Sequence, residues 1–392
     1  MTIPFAVFVC LALSVLLLSL YRIEYKSHQR NLKSIPVRIL VNGSRGKSSV
    51  VRLIAAGLRA GGKKVIAKTT GTSTRLIFEN AEEVPVVRLG MPTIREQIKI
   101  ICEAAGRNPD VVIIECMALR PDLQWLESRR IVKPTIVVIT NVRADHLDVM
   151  GPTIRDVAKT FISVVPRNCV VFTAESRTAE VFTNNIHKKK IKVFTSKAED
   201  ISDAIIKKFP YIEHKENVSL ARDVCRYLGV DEKTAFNAMY ATTPDPGVLR
   251  VYTINLNGKK IKLINALAAN DPESTYSIWK SVDKNFPEIN LHINSRKDRI
   301  FRSLQFAQFI KNFNADHYIL TGSGTHVLAR NLHRTIGKNK ILNLGEKKPR
   351  QVFDEVAKYV ANRSLVFSMG NAAGYGAKLL EYFLHNGKCD VD

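Results

Sequence analysis

A strand pattern, Val37-Arg-Ile-Leu-Val41, runs straight into Asn42-Gly43-Ser44-Arg45-Gly46-Lys47-Ser48-Ser49. A helical pattern starts at once, with Val50, Leu53, Ile54 and Leu58 on one face. Nothing else constrains the chain as much. A strand, a glycine-containing turn ending in Gly-Lys-Ser and a helix N-terminus together make a phosphate cradle. Glycines let backbone N–H groups approach the oxygens, Lys47 brings a point charge to the β/γ-phosphates, and the Ser48 hydroxyl suits Mg²⁺. The spacing is Gly-x-x-Gly-Lys-Ser, because Val41 stands where the first glycine of the usual Gly-x-x-x-x-Gly-Lys would be. The bland alternative is a basic turn between strand and helix.

Short apolar runs alternate with helical periodicity over most of the chain. Strands are predicted at Val37–Val41, Lys64–Ala67, Pro85–Arg88, Val111–Glu115, Thr135–Thr140, Cys169–Thr173 and Lys192–Thr195. That alternation predicts an α/β, P-loop-type doubly wound parallel sheet. Helical patterns follow at Lys215–Leu228 and Asp231–Tyr240, then a break at Pro244-Asp245-Pro246-Gly247. Beyond it, Val251–Leu256 and Lys260–Asn265 flank Asn257-Gly258, a two-residue hairpin signal. Strands near Asn290–Asn294, His317–Thr321, Ile341–Leu344 and Leu365–Ser368 predict a smaller, Rossmann-like C-terminal α/β domain.

From Ile3 to Tyr21 there is no charged residue, and a helix of that length matches the thickness of bilayer hydrocarbon. No Lys or Arg precedes the run and no small-x-small site closes it, which argues against a cleaved signal peptide. Arg22, Lys26, Arg30, Lys33 and Arg38 follow, so the positive-inside rule predicts a single-pass anchor in the cytoplasmic membrane, with the catalytic domains in the cytoplasm. The expected division is 1–21 anchor, 22–36 basic juxtamembrane segment, 37–247 nucleotide-binding domain and 248–392 C-terminal domain. The six cysteines are scattered, with no Cys-x-x-Cys, so neither a disulfide scaffold nor a structural zinc site is expected.

The chain carries 59 Lys and Arg against 36 Asp and Glu, a net charge of +23. No zinc-finger, RNP-like or recognition-helix pattern accompanies it, so no nucleic-acid partner is expected. The lipid leaflet, a nucleotide and a polyanionic substrate are the remaining anions.

Further polar groups fall at strand ends, where a parallel sheet binds ligands. Val111-Val-Ile-Ile-Glu115 closes an apolar strand with a carboxylate suited to Mg²⁺ beside a phosphate loop. Thr135–Thr140 leads into Asn141-Val-Arg-Ala-Asp145-His146-Leu-Asp148, and Lys68-Thr69-Thr70-Gly71-Thr72 follows the second strand.

These residues resemble the Mur ligase superfamily, and within it the poly-γ-glutamate synthase ligase subunits of the CapB/PgsB type. The resemblance is carried by Asn42–Ser49, Lys68–Thr72, Glu115-Cys-Met-Ala-Leu119, Ala269-Asn-Asp-Pro-Glu-Ser274 and, most specifically, the run Thr140–Thr153. It implies an ATP-dependent ligase that polymerises glutamate through γ-carboxyl linkages by way of an acyl phosphate. It also implies small membrane subunits of a synthase and export complex as partners. Residue by residue, Lys47 would hold the β/γ-phosphates, with Asn42, Gly43, Ser44, Arg45, Gly46, Ser48 and Ser49 completing the ATP loop. Ser48 and Glu115, with Thr70 also among the metal residues, would bind one Mg²⁺, His146 would bind a second, and Asn217 would read adenine. Arg250 matches a Pro-Gly-Arg hinge with two residues inserted, and Asp298-Arg299 an Asp-Arg that closes over the nucleotide. Lys159 lies near the position of a carbamylated lysine but reads as an exposed helical residue. Arg45, Arg75, Arg143 and Arg296 offer further positive charge. The superfamily's Asp-x-Ala-His-Asn-Pro segment reads here as Leu267-Ala-Ala-Asn270-Asp271-Pro272, so its ribose contacts do not carry over. A γ-glutamyl ligase of the folylpolyglutamate synthase kind, and a membrane-anchored ATPase or switch that makes no amide, are the rival readings.

Overall fold

The structure, a computed structural model, describes residues 3–71, 74–88, 90–143, 147–175, 191–244, 250–267, 272–372, 374–387 and 390–391. Two compact units divide the chain, Met1–Thr243 and Pro244–Asp392, each built on its own sheet.

The first unit's strands are β1 (Val37–Asn42), β2 (Val65–Thr69), β3 (Arg75–Ile77), β4 (Glu83–Pro85), β5 (Val111–Glu115), β6 (Ile136–Ile139), β7 (Val170–Thr173) and β8 (Lys192–Thr195). They lie in the order β4-β3-β2-β5-β1-β6-β7-β8. The pairs from β2 through β8 are parallel, while β3 and β4 form an antiparallel margin. The middle of the central strand β1, Ile39-Leu40-Val41, is apolar because both of its faces are covered. Ile39 and Val41 meet Val50, Leu53 and Ile54 of α2 (Lys47–Ala60), whereas Leu40 joins Ile114, Val137 and Ile139 in the opposite cluster. Parallel register, with Val41 beside Glu115 and Asn42 beside Ile139, brings the ends of β1, β5 and β6 to one edge.

One expectation needs correction. The strand predicted at Pro85–Arg88 is instead β4, ending at Pro85, and β3 was not foreseen. Three-residue strands are too short to show a period of two, and here the hairpin is held from outside by the ion pair of buried Arg52 in α2 with Glu83. The basic juxtamembrane segment 22–36 is largely helical and continuous with the apolar run. One uninterrupted helix, α1 (Ile3–Ser34), carries the apolar run and then docks on the domain. Its apolar stretch from Val7 is exposed, while Leu32, and Ile35 just past the helix end, are buried. His28 Nε2 lies 2.8 Å from the Ile131 carbonyl oxygen, and Lys133 Nζ donates to Gln29 Oε1 at 2.6 Å.

The second unit contains β9 (Arg250–Leu256), β10 (Lys259–Asn265), β11 (Ile289–Ser295), β12 (His317–Gly322), β13 (Ile341–Gly345), β14 (Leu365–Gly370) and the unforeseen β15 (Asp390–Val391). Their order is β13-β12-β11-β14-β10-β9-β15. The β9–β10 hairpin turns on Asn257 and Gly258, both at positive φ (48° and 89°), as a two-residue turn of this hand requires. At the centre of this sheet His292 is buried between the Ser368 and Thr321 hydroxyls, at 2.9 and 2.7 Å. Burial lowers its pKa from 6.5 to about 4.

Between pH 6.5 and 4 the unfolded histidine binds a proton that the folded one refuses, so stability falls as the pH drops through that window, by about 3 kcal/mol in all. Denaturant titration read from Trp279, in a Trp125→Phe background, should show this loss in the second unit. A His292→Gln variant should lack this contribution.

Candidate active site

Everything at the first sheet's C-terminal edge is arranged around the phosphate loop. Gly43 has φ 131°, and a Cβ there would overlap the Thr140 hydroxyl at the end of β6. Ser44 N–H donates to the Asn141 carbonyl at 3.0 Å, and Arg143 N–H donates to Ser44 Oγ at 3.0 Å. Asn141 closes the clamp, accepting from Arg45 N–H at 3.1 Å and donating to the Arg45 carbonyl at 3.1 Å. Asn42 fixes the loop's start: its Oδ1 accepts from Gly43 N–H at 2.8 Å while its Nδ2 donates to Gln124 at 2.9 Å.

Lys47 Nζ folds back onto the loop, donating to the Gly43 carbonyl at 2.7 Å and reaching the Ser44 carbonyl at 3.4 Å. Its charge therefore sits inside the cradle. Ser48 Oγ donates to Glu115 Oε2 at 2.8 Å, and Thr70 N–H donates to the same oxygen at 2.7 Å. Three of the four residues predicted to hold Mg²⁺ thus converge on one buried carboxylate, Thr70 through its backbone. The fourth, His146, lies outside the described residues, as do Thr72 and the run 268–271.

On the other side, Gly46 caps α2 at φ 79°, and a Cβ there would overlap the Asn217 carboxamide. Asn217 opens the helix Lys215–Tyr227 and is buried, its Nδ2 donating to Glu213 Oε1 at 2.8 Å. Ser49 also bonds the Glu213 side chain, whose pKa burial raises. The predicted adenine reader thus spends one amide N–H on Glu213 and packs against the loop at Gly46. Arg250 starts β9 and Arg299 ends the turn Lys297–Arg299, so both belong to the second unit. Arg296 is paired with Asp298 at 2.7 Å, and Arg75 lies in β3. Lys159 is exposed and paired with Asp156 at 3.2 Å, as an ordinary helical lysine would be.

A layer beneath the site escaped the sequence reading. Lys68 is wholly buried and donates to Glu96 at 2.6 Å, and Arg88 reaches the same carboxylate at 2.6 Å. Burial pushes the Lys68 pKa down, opposed by its bond to Glu96. Glu127, also fully buried and raised by desolvation, accepts from Gln97 at 2.7 Å and from the N–H groups of Met117 and Ala118 at 3.1 and 3.0 Å. It thereby fixes the turn that follows Glu115.

A family model for the Mur ligase middle domain matches residues 41–270, and one for the poly-gamma-glutamate synthase CapB C-terminal domain matches residues 251–386. The chain is 36% identical over 369 residues to the capsule biosynthesis protein CapB of Bacillus anthracis, spanning 92% of this chain and 79% of that protein. To the PGA synthase CapB of Bacillus subtilis strain 168 it is 34% identical over 366 residues, spanning 92% and 93%. The chain belongs to the Mur ligase family, in its CapB branch. The backbone of this CapB-type ligase is also like that of E. coli FolC in complex with ADP, with a TM-score of 0.70 at 16% identity over 92% of both chains, a likeness of fold alone. As a Mur-family enzyme it is an ATP-dependent, amide-forming ligase.

Gly46→Ala tests the cradle. The added methyl meets both a positive φ and the Asn217 side chain, so the loop must shift. ATP affinity, measured calorimetrically on the CapB-type ligase, should weaken by roughly tenfold or more, the equivalent of about 1.4 kcal/mol.

Proposed function

We propose that the enzyme polymerises glutamate through γ-carboxyl linkages for a capsule or secreted polymer. The single observation that carries this reading is the meeting of Ser48, Thr70 and Glu115 beside the Lys47 cradle, in a chain whose relatives are named for capsule biosynthesis and PGA synthesis. A carboxylate oxygen of the acceptor attacks the γ-phosphorus of ATP, and ADP leaves. The amine of the next glutamate then attacks the activated carbonyl, losing a proton, and inorganic phosphate departs with one oxygen of the original carboxylate.

Most catalysis in such a transfer is positioning and charge neutralisation. Lys47 and the loop N–H groups cradle the β/γ-phosphates, Asn42 and Asn141 hold that loop in shape, and Glu115 orients the Ser48 hydroxyl. One carboxylate, one hydroxyl and phosphate oxygens form the kind of donor set Mg²⁺ takes. The buried Thr69 and Thr140 hydroxyls, which have no partner among the described residues, leave additional donors at the same edge. Ser48 and Glu115, with Thr70, would hold one Mg²⁺ and His146 a second, and bound magnesium supplies neutralising charge to the phosphates. Arg250 and Arg299 are assigned to the nucleotide, and Asn217 to adenine, on the resemblance alone.

The apolar half of α1 is long enough to cross a bilayer. It anchors the enzyme in the cytoplasmic membrane as a single pass, beside small membrane subunits of a synthase and export complex. A growing polymer carries one free α-carboxylate per unit, and the net charge of +23 gives it an attractive surface.

Membranes carrying the wild-type enzyme should form γ-glutamyl polymer from glutamate and ATP without added folate. Glutamate labelled with ¹⁸O should pass label into the released phosphate. Lys47→Ala, Glu115→Ala and His146→Ala should each lower turnover by about a hundredfold or more. Folate-dependent product would select the folylpolyglutamate reading, and phosphate release with neither amide nor label transfer would select the switch.

A further inference from the structure

The docked half of α1 also settles which edge of the first sheet is nearest the apolar run. The helix enters β1 through a tight turn, where Arg38 Nη1 donates to the Leu32 carbonyl at 3.0 Å and the Ile35 carbonyl at 2.6 Å. It then runs back alongside the sheet. Glu24 lies eleven residues before Ile35, a climb of about 17 Å at 1.5 Å per residue. From Val37 to Asn42, β1 rises by about the same 17 Å.

Glu24 is therefore level with the catalytic edge, and a contact confirms the level. Arg95 Nη2 lies 3.2 Å from Glu24, at the start of α3 (Glu96–Ala105). That end of α3 is bound to the catalytic edge itself, through Glu96 to Lys68 and through Gln97 Nε2 to the Glu115 carbonyl at 3.3 Å. Tyr21, the end of the uncharged run, is only about 5 Å further along the helix.

The surface chemistry at this corner is unlike the rest of the unit. Outside α1, eight large apolar side chains are exposed among the described residues of the chain. Five of them, Val87, Met91, Leu119, Trp125 and Leu126, belong to two segments at this edge. One is the stretch before α3, and the other is the return after Glu115 into α4 (Pro121–Leu126). Val87 and Met91, at 82% and 89%, are the most exposed large apolar side chains among the described residues. Cations accompany them: Arg95 and Arg120 are exposed, each beside one exposed carboxylate (Glu24 and Asp122), and Arg130 lies over Trp125 with 5.6 Å between guanidinium and ring centre. Exposed apolar side chains, an indole and arginines at one level are the composition of a membrane–water interface.

We propose that this rim of the catalytic edge, on either side of Leu89 and at 119–126, lies in the lipid headgroup layer of the leaflet that α1 enters. Val87 and Met91 reach toward the acyl boundary and the arginines meet lipid phosphates. The inference rests on α1 being a membrane anchor. Lipid is the occupant because the rim continues directly from α1 and carries positive charge. One consequence is that the ligation chemistry takes place within a few residues' length of the bilayer surface.

The test uses the full-length enzyme in vesicles of phosphatidylglycerol and phosphatidylcholine, with Cys10, Cys102 and Cys389 replaced by Ser. A single environment-sensitive label is placed by Leu16→Cys in α1, by Met91→Cys at the rim, or by Lys63→Cys in the turn before β2, at the opposite edge of the sheet. Nitroxide on the acyl chains should quench the label at 16. Nitroxide on the headgroups should remove about half the emission at 91 and leave 63 unchanged, as expected for a group seated in the interface. Quenching at 16 without quenching at 91 overturns the proposal while the anchor stands, and leaves the rim to a protein partner. Equal quenching at 91 and 63 also overturns it. No quenching at 16 overturns the anchor and this inference together.

Discussion

Oε2 of Glu115 joins the ends of three strands. Ser48 follows β1 through the phosphate loop, Thr70 follows β2, and Glu115 itself ends β5. A carboxylate removed from water must have its lone pairs met or it is costly to bury. Here Oε2 accepts from both a hydroxyl and an amide N–H. The hydroxyl on the loop side and the carboxylate on the strand side are thus held at hydrogen-bond distance by the fold itself. That pre-organisation is the part of catalysis a protein can supply in advance.

Support for this arrangement comes from polar groups that the fold buries at some expense. Replacing a buried ion pair such as Lys68–Glu96 with apolar residues is often neutral or stabilising, so its presence is weak testimony about stability. Its position says more. Lys68 is the residue before Thr69 and Thr70, and Glu96 opens the helix whose Gln97 touches the Glu115 carbonyl. The pair therefore fixes β2 against α3 at the point where Thr70 must present its N–H. Glu127 performs the equivalent service for Met117 and Ala118.

The central strands and the phosphate loop were legible because local chemistry dictates them. Val111–Glu115 and Lys192–Thr195 match their predicted limits, and the Asn257-Gly258 turn follows from backbone geometry alone. What could not be read depends on partners distant in sequence. Gln97 and Glu127 are separated by thirty residues and meet only when the sheet forms, and β3 and β4 are stabilised by Arg52 from another element. The docking of α1 did leave a trace. Arg22, Lys26, Arg30 and Lys33 recur at intervals of three and four, a helical stripe, while His28, Leu32 and Ile35 recur on a different face. Read as a charge run, the segment resembles a tether; read by periodicity, it is one more amphipathic helix.

The same distinction bears on the net charge. Charges exposed to water act over roughly 8 Å at physiological salt, so most of the +23 attracts anions without choosing among them. Choice requires geometry, and geometry is concentrated where cations are held by the fold. Lys47 is pinned inside the loop, Lys68 is closed off from solvent, and Arg52 is buried against Glu83. The first of these lies within the glycine loop, whereas the other two are paired with carboxylates inside the fold. A basic isoelectric point therefore overstates the charge available to a substrate. The number of lysines and arginines matters less than the few whose ammonium or guanidinium groups are both fixed in place and directed at the reacting oxygens.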